Sequence, residues 1–384
     1  MQENSKIKVL FVIDTLEGYG AEKSLVEIAK NLKEVSPVFV HIYKGAMLKT
    51  ALEEADIKVY SMNLKQKYGF SKAVKLLQKI YLEEKPHLIH ATLYRSEIIT
   101  RKLKSKFPEI KLIGSLVSNA YSKDRYFGKD YIARLKLHYF YMLEKKTVPM
   151  VDLFISNSHT IKEVTSRALK IPDEKIQVVF RGRDKNNYKN FIYKRDDNIF
   201  KDKNIVLLNV SRLIPLKGQL DLIRSLPEVI EKFDIKLIIA GDGYYKARLE
   251  IEIVRLHLED YVELIGRTNN VINCLEKSDL FLYPSYSEGL PGALIEAMMA
   301  GNIIIASDIP ENLECVNESC AVIFEKGNVV DLSNKILKVL GNLNEYKKLG
   351  MEAQKTAFEK FDIKKIAGQY ESVYWSLYEK KAQV

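Results

Sequence analysis

Residues 280–301 read LFLYPSYSEGLPGALIEAMMAG and predict a strand followed by a helix. The first four residues are all apolar, which is typical of a buried strand. Pro291 suits the first turn of a helix because its missing N–H would be unpaired there, and Gly301 suits the end. Glu288 then lies in the loop before the helix, and Glu296 lies inside the helix. A strand that leads directly into a helix indicates an α/β fold.

Carboxylates and backbone amides thus come together at one end of the predicted strand. Carboxylates accept hydrogen bonds from vicinal hydroxyls, and the N–H groups at the start of a helix attract phosphate. We expect Glu288 and Glu296 to face one crevice that binds a sugar and a phosphate. A capped amphipathic helix with two solvated glutamates is the alternative.

The chain has 384 residues, of which 47% are hydrophobic and 29% charged, and this predicts a globular protein of two domains. No apolar run reaches the roughly 18 residues of a transmembrane helix, and residues 1–6 lack the apolar region of a signal peptide. The three cysteines, Cys274, Cys315 and Cys320, show no metal-ligand spacing. We therefore expect a protein of the reducing cytoplasm.

Positive charge is concentrated in the first half of the chain. Residues 65–146 contain 19 Lys and Arg against 7 Asp and Glu. Such an excess indicates an anionic partner: nucleic acid, a membrane surface or a phosphorylated substrate. Residues 121–146 also interleave tyrosine and phenylalanine with the basic residues. They could form a helix on an anionic bilayer, stack single-stranded nucleic acid, or be a solvated helix with its aromatic side chains in the core.

Strand-like and helix-like stretches alternate twice, which predicts two doubly wound parallel sheets. The predicted strands are 8–13, 37–42, 86–90, 111–116, 153–156 and 176–180, and then 205–210, 235–240, 262–265, 280–283, 302–306 and 321–324. The predicted helices of the second series include Gln219–Phe233. We expect two Rossmann-like domains that face each other across a cleft, with ligands at the carboxyl ends of the strands. The predicted boundaries are an N-terminal domain at 1–185, a linker at 186–202, a C-terminal domain at 203–360 and a final helix at 361–384.

A cationic pair follows the first strand of the second series. Arg212 and Lys217 lie in the loop after this strand. An arginine offers a rigid fork and a lysine a mobile charge, and together they can hold a diphosphate. The chain contains no Asp-x-Asp motif, so we expect cationic side chains in place of a metal ion.

A glycine loop follows the first strand of the chain, at Gly18 and Gly20. Glycines at this position allow a phosphate or a sugar to approach the backbone. The dinucleotide fingerprint is not met, because Lys23 stands where its third glycine belongs and no acidic residue closes the second strand. The sequence therefore disfavours NAD.

The glutamate pair, the Arg212–Lys217 pair and the glycine loop together resemble the retaining glycosyltransferases of family 4. The resemblance extends over nearly the whole chain and implies the GT-B fold. It also implies transfer of a sugar from a UDP- or GDP-sugar to a hydroxyl of a glycan or lipid-linked acceptor, in bacterial surface polysaccharide or glycolipid biosynthesis. No cofactor, metal ion or nucleic acid is implied. The enzyme would be cytoplasmic, with peripheral contact to an anionic membrane through residues 65–146.

The resemblance also assigns roles to individual residues. The catalytic residues would be Glu288, Arg212 and Lys217. The donor-binding residues would be Gly20, Arg212, Lys217, Gly241, Arg267, Gly289, Leu290, Pro291 and Glu296. The acceptor side would comprise His90, Ser118 and Asn119. Ser118 stands where many members have a histidine, which puts any histidine-assisted step in doubt.

Three other functions fit parts of the sequence. A sugar-nucleotide epimerase and a phosphorylase use similar two-domain architectures. A basic nucleic-acid-binding protein would account for the charge but not for the donor motifs.

Overall fold

The computed structural model describes residues 6–65, 69–121, 130–189, 191 and 205–380. The chain folds into two compact units. Unit 1 comprises Met1–Arg183 and Ile363–Val384, and unit 2 comprises Asp184–Asp362. Unit 2 is therefore a continuous segment between two parts of unit 1.

Unit 1 contains a seven-stranded, fully parallel sheet in the order β3-β2-β1-β4-β5-β6-β7. Its strands are β1 Ile7–Ile13, β2 Val35–Tyr43, β3 Lys58–Leu64, β4 Leu88–Thr92, β5 Leu112–Leu116, β6 Leu153–Ser156 and β7 Ile176–Val178. The order reverses between β1 and β4, so this pair forms the topological switch point. The predicted doubly wound fold is confirmed, and β3 is an edge strand that the sequence did not predict.

The helices of unit 1 cover this sheet, and the last helix of the chain is one of them. They are α1 Gly20–Lys30, α2 Lys49–Glu53, α3 Phe70–Glu84, α4 Tyr94–Lys104, α5 Tyr131–Thr147, α6 His159–Leu169 and α15 Ile363–Glu379. Tyr370 and Tyr374 of α15 are buried in one core cluster with Phe11 of β1. The rings of Phe11 and Tyr374 meet edge to face at 6.1 Å.

Unit 2 contains a six-stranded parallel sheet in the order β10-β9-β8-β11-β12-β13. Its strands are β8 Ile205–Val210, β9 Ile235–Ala240, β10 Val262–Gly266, β11 Leu280–Tyr283, β12 Ile303–Ser307 and β13 Val322–Phe324. Here the switch point lies between β8 and β11. The apolar runs are buried because helices cover both faces of the sheet.

The helices of unit 2 follow the sequence pattern with one correction. They are α7 Gln219–Arg224, α8 Pro227–Ile230, α9 Lys246–Arg255, α10 Val271–Lys277, α11 Gly292–Met299, α12 Pro310–Leu313, α13 Val329–Leu340 and α14 Leu343–Lys360. The single helix predicted over Gln219–Phe233 was wrong. Pro227 has no N–H to continue α7 and instead occupies the first turn of α8.

Two predicted segments lie partly outside the described residues. Of the predicted linker, residues 190 and 192–202 are outside, whereas Tyr188 and Phe191 are buried in contact with each other, with ring centroids 5.8 Å apart. Of the basic aromatic segment, residues 122–129 are outside. In the described part of the chain, no helix combines the length and the hydropathy needed to cross a bilayer.

Candidate functional site

Two sequence motifs meet at the switch point of unit 2. β8 and β11 are neighbours in the sheet, and Leu207 lies beside Leu280. The loop after β8 carries Arg212 and Lys217, and the loop after β11 carries Glu288. Because parallel strands end at the same edge of a sheet, the two loops lie side by side where α/β folds bind ligands.

Lys217 and Glu288 form a nearly buried ion pair. The Lys217 Nζ lies 2.5 Å from Glu288 Oε1, and the two side chains are only 11% and 10% exposed. Lys217 also donates to the Ser287 carbonyl at 3.1 Å. Glu288 Oε1 accepts two further hydrogen bonds, each of 2.7 Å, from the hydroxyls of Tyr283 and Ser285. One carboxylate oxygen therefore takes every partner that the described residues give Glu288.

These contacts keep Glu288 ionised. Burial raises the pKa of its carboxyl, but the charge of Lys217 and the three hydrogen bonds more than offset this, so the pKa lies below its usual value. Burial, reinforced by the charge of Glu288, raises the pKa of Tyr283 well above its ordinary value. Tyr283 therefore remains a protonated donor, and Glu288 remains an acceptor.

Arg212 presents its side chain to solvent on a firmly held backbone. The side chain is exposed and has no carboxylate partner among the described residues. Its carbonyl accepts a hydrogen bond of 2.8 Å from the amide of Gln219, which also donates to Ser211 Oγ at 2.7 Å. Ser211 in turn donates to Asn209, whose amide is bonded to the Leu282 carbonyl of β11 at 2.8 Å. The loop thus fixes the backbone of Arg212 and leaves its guanidinium exposed to solvent.

Two glycines make room for this loop. A Cβ on Gly241 would collide with the Ser211 carbonyl, and one on Gly218, which has φ +68°, would collide with the Pro284 carbonyl. The predicted donor residue Gly241 therefore has a packing role that its sequence position did not show. Its N–H donates to the Gly266 carbonyl at 2.8 Å, and Arg267 follows Gly266 with an exposed side chain.

The segment after Glu288 leads into α11. Leu290 is 1% exposed and anchors the turn in the core, while Gly289 is half-buried. Pro291 is the residue before the first helical turn rather than within it. Glu296 lies inside α11, as predicted, and its side chain is half-buried.

The glycine loop of unit 1 is built around a helix start. Gly20 is the first residue of α1, and a Cβ there would lie 3.4 Å from the Arg181 guanidinium. The carboxylate of Glu22 accepts a hydrogen bond of 2.8 Å from the Tyr19 N–H and another from the Thr15 hydroxyl. Glu22 thereby caps α1 and is itself buried.

The residues predicted on the acceptor side lie in different environments. His90 is fully buried, with its ring nitrogens 2.8 Å from the hydroxyls of Tyr374 and Ser115. Burial lowers the pKa of His90 to about 3, so its ring is neutral. The structure therefore places His90 in the interior of unit 1, whereas Ser118 is exposed and Asn119 half-buried in the loop after β5.

Three residues hold this site together that no sequence motif had indicated: Tyr283, Ser285 and Gln219. A tyrosine as the last residue of an otherwise apolar strand was the available signal, because a polar tip at a carboxyl end faces the ligand edge. Among the described residues, no group of three or more His, Cys, Asp or Glu could hold a metal ion.

Each unit of the chain matches the model of a known protein family. Residues 19–187 match the model for Glycosyltransferase Family 4, and residues 190–356 match that for Glycosyl transferases group 1. Over 59% of its length, the chain is 26% identical to N-acetyl-alpha-D-glucosaminyl L-malate synthase of Bacillus anthracis, and the match covers 60% of that relative. It is 27% identical to the capsular polysaccharide biosynthesis glycosyltransferase CapH of Staphylococcus aureus, over 80% of this chain and 83% of CapH. The structure of Anabaena HepE in complex with UDP-glucose superimposes with a TM-score of 0.82 at 23% identity, over 96% of this chain and 100% of HepE.

Proposed function

Because the chain belongs to glycosyltransferase family 4 and has the GT-B fold, we propose that it transfers a sugar from a nucleotide diphosphate sugar to an acceptor hydroxyl with retention at the anomeric carbon. The observation that carries this proposal is the Lys217–Glu288 ion pair. It joins a phosphate-binding cation and a hydroxyl-binding carboxylate at the switch point of unit 2.

Arg212 and Lys217 would bind the diphosphate of the donor. When the bond from the anomeric carbon to the phosphate oxygen breaks, the leaving nucleotide gains negative charge. Two positioned cations stabilise that charge more strongly in the transition state than in the ground state, and this lowers the barrier. These cations would take the role that a metal ion has in other transferases.

Glu288 would bind the hydroxyls of the donor sugar, and Glu296 those of the ribose. Tyr283, Ser285 and Lys217 all contact Oε1 of Glu288. Oε2 has no hydrogen bond from the described residues and is available to a sugar hydroxyl. The acceptor oxygen would attack from the face that the diphosphate leaves, and its proton would pass to the departing phosphate oxygen. This accounts for retention without a covalent intermediate.

The names of related proteins suggest the substrates. HepE was solved with UDP-glucose, and a relative from Escherichia coli, 30% identical over 46% of this chain, is a UDP-Gal:alpha-D-GlcNAc-diphosphoundecaprenol alpha-1,3-galactosyltransferase. We propose a UDP-sugar donor and a lipid-linked acceptor in the assembly of a bacterial surface glycan. Acceptor binding would be a function of unit 1.

Helix α5 supports peripheral contact with an anionic membrane. Tyr131, Leu135, Tyr139 and Met142 are 75%, 52%, 64% and 51% exposed. They recur at helical spacing and form one apolar stripe, with Arg134, Lys136, Lys145 and Lys146 on the same helix. An exposed apolar stripe with basic neighbours is typical of helices that lie on anionic bilayers.

The Glu288→Gln variant tests the proposed reaction. This change keeps the shape of the side chain but removes its charge. We expect transfer from UDP-glucose, UDP-galactose or UDP-N-acetylglucosamine by the wild-type protein and a loss of at least 100-fold in the variant. Thermal shifts with UDP and GDP should show that the variant still folds and binds nucleotide. Unimpaired transfer by Glu288→Gln would exclude the assigned role.

A further inference from the structure

Unit 1 contains a cavity of about 240 Å³ that no predicted site residue lines. Five of its eight lining side chains are aromatic, and Arg95 and Glu144 supply opposite charges. Apolar walls with a few polar groups are typical of sites for small organic ligands. The volume suits a single small ring rather than a nucleotide sugar.

The cavity borders the switch point of unit 1 on the side of β4. Tyr94 and Arg95 line it and are the first residues of α4, which follows β4. Asp14 directly follows the neighbouring strand β1, accepts a hydrogen bond of 2.8 Å from the Ser96 N–H, and lies 3.5 Å from the Arg95 guanidinium. This is the position where doubly wound sheets bind ligands.

The backbone that presents Tyr94 and Arg95 is strained. Leu93 joins β4 to α4 with φ +78° and ψ 153°, a backbone conformation that residues other than glycine rarely adopt. Such a conformation is energetically unfavourable, and strain of this kind clusters at ligand sites. The Asp14 carboxylate offsets part of this cost by bonding the start of α4.

Polar groups reach into the aromatic walls. The Tyr121 hydroxyl donates to Glu144, whose carboxylate also lies 3.9 Å from the Arg101 guanidinium. The Tyr94 ring packs against the Phe140 ring with centroids 5.1 Å apart. Aromatic faces can cover the apolar C–H face of a sugar ring, while the Glu144 carboxylate and the Arg95 guanidinium bind its hydroxyls. The lining therefore fits a sugar.

One face of helix α5 lines this cavity, and the opposite face is exposed to solvent. Leu137, Phe140, Tyr141 and Glu144 line the cavity at the spacing i, i+3, i+4 and i+7. At 100° per residue, this face points away from the exposed stripe of Tyr131, Leu135, Tyr139 and Met142. One helix thus forms a wall of the cavity and the proposed membrane-contact surface.

From these observations we infer that the cavity binds one sugar ring of the acceptor while the opposite face of α5 rests on the bilayer that carries the acceptor's lipid. This inference rests on the proposed function. It adds the place where unit 1 recognises the acceptor and the reason why recognition and membrane contact share one helix.

Two matched variants of α5 test the inference. Leu137→Trp fills the cavity, and Leu135→Trp makes the same change on the exposed face. The probes are the methyl α-glycosides of glucose, galactose, N-acetylglucosamine and N-acetylgalactosamine, with binding followed by saturation-transfer NMR. We expect at least one glycoside to bind the wild-type protein, binding to fall at least fivefold in Leu137→Trp, and Leu135→Trp to match the wild type. If Leu137→Trp fails to fold, Leu137→Ala, which removes a wall, should give the same loss.

The membrane face has its own measurement. Tyr139→Ser should weaken binding to phosphatidylglycerol vesicles at least threefold and leave glycoside binding unchanged. Leu137→Trp should weaken glycoside binding and leave vesicle binding unchanged. Absence of binding by all four glycosides, or equal binding by both tryptophan variants, would overturn the inference. Neither Tyr139→Ser nor Leu137→Trp should affect the binding of UDP-glucose. Failure of the wild-type protein to bind any UDP- or GDP-sugar would instead count against the proposed function.

Discussion

The hydroxyl of Tyr283 lies 2.7 Å from Glu288 Oε1, the same oxygen that Ser285 and Lys217 contact. Tyr283 is the last residue of β11 and is 3% exposed, so it cannot turn away from the carboxylate without leaving the core. The strand itself therefore orients Glu288 and favours its charged form.

We expect the Tyr283→Phe variant to lose activity at a higher pH than the wild type. Removing a hydrogen bond to the ionised form raises the pKa of Glu288. A hydrogen bond to a charged group is worth about 1.5–3 kcal/mol, which corresponds to about 1–2 pH units. The acidic limb of kcat/KM against pH should move upward by that amount.

The neighbouring Tyr286→Phe is the matched control. The Tyr286 hydroxyl donates to Asp221 at 2.6 Å and does not contact Glu288. The acidic limb of kcat/KM against pH for Tyr286→Phe should coincide with that of the wild type. An equal displacement in both variants would show that Tyr283 does not act through Glu288.

Variants at Lys217 and Arg212 should differ in their effect on the stability of the protein but not in their effect on catalysis. Lys217→Met leaves Glu288 nearly buried without its ion-pair partner and should lower the free energy of unfolding by about 3 kcal/mol. Arg212 is exposed, so Arg212→Met should change it by less than about 0.5 kcal/mol. Both variants should lower kcat about 100- to 1000-fold. Urea unfolding and initial rates measure the two effects, and equal stability of the two variants would contradict the ion pair.

Gly241→Ala should displace the loop that carries Arg212. The added methyl group would collide with the Ser211 carbonyl, and backbone cannot yield as a flexible side chain can. We expect a loss of at least 1 kcal/mol in stability and a raised KM for the donor. Gly368→Ala is the control, because a Cβ there meets no atom within 4 Å and alanine favours a helix by up to about 1 kcal/mol. A Gly241→Ala protein with unchanged stability and donor KM would contradict this.

His90 should make the protein less stable in mild acid. Its folded pKa of about 3 lies below the unfolded value of about 6.5, so the unfolded chain binds the extra proton between these values. The stabilising contribution of neutral His90 is complete above about pH 6.5 and falls as the pH decreases, by at most about 1.4 kcal/mol per pH unit.

Urea unfolding of the wild type and His90→Gln at pH 7, 6 and 5 isolates this contribution. The difference between the two slopes removes the effect of all other titrating groups. We expect a shallower decline in stability for His90→Gln. Parallel slopes would show that His90 is not held neutral.

The sequence predicted the strands of unit 2 almost to the residue, because each is an apolar run bounded by polar loops. It missed β3, Lys58–Leu64, since an edge strand has water on one side and its polar side chains interrupt the pattern. It extended one helix through Pro227, whose effect depends on the turn around it. Local patterns thus predict strands that are unbroken apolar runs and miss a strand in which polar side chains interrupt the run.

The candidate site shows the same division. Lys217 and Glu288 were predictable because each follows a strand in its own motif. The hydrogen bonds of Gln219 and Tyr283 were not, because they depend on which strands become neighbours in the sheet. The family resemblance placed His90 on the acceptor side, whereas Tyr374 of α15 covers it. No local pattern shows that the last helix returns to the first sheet.

The position of α15 has a consequence for how the protein is made. A chain that ends at Asp362 contains all of unit 2, but it lacks the helix that closes the core around Phe11 and His90. The unit that begins first is therefore completed last. A released chain truncated after Asp362 should be cut by protease within unit 1 while unit 2 resists, and extension to Glu379 should protect both.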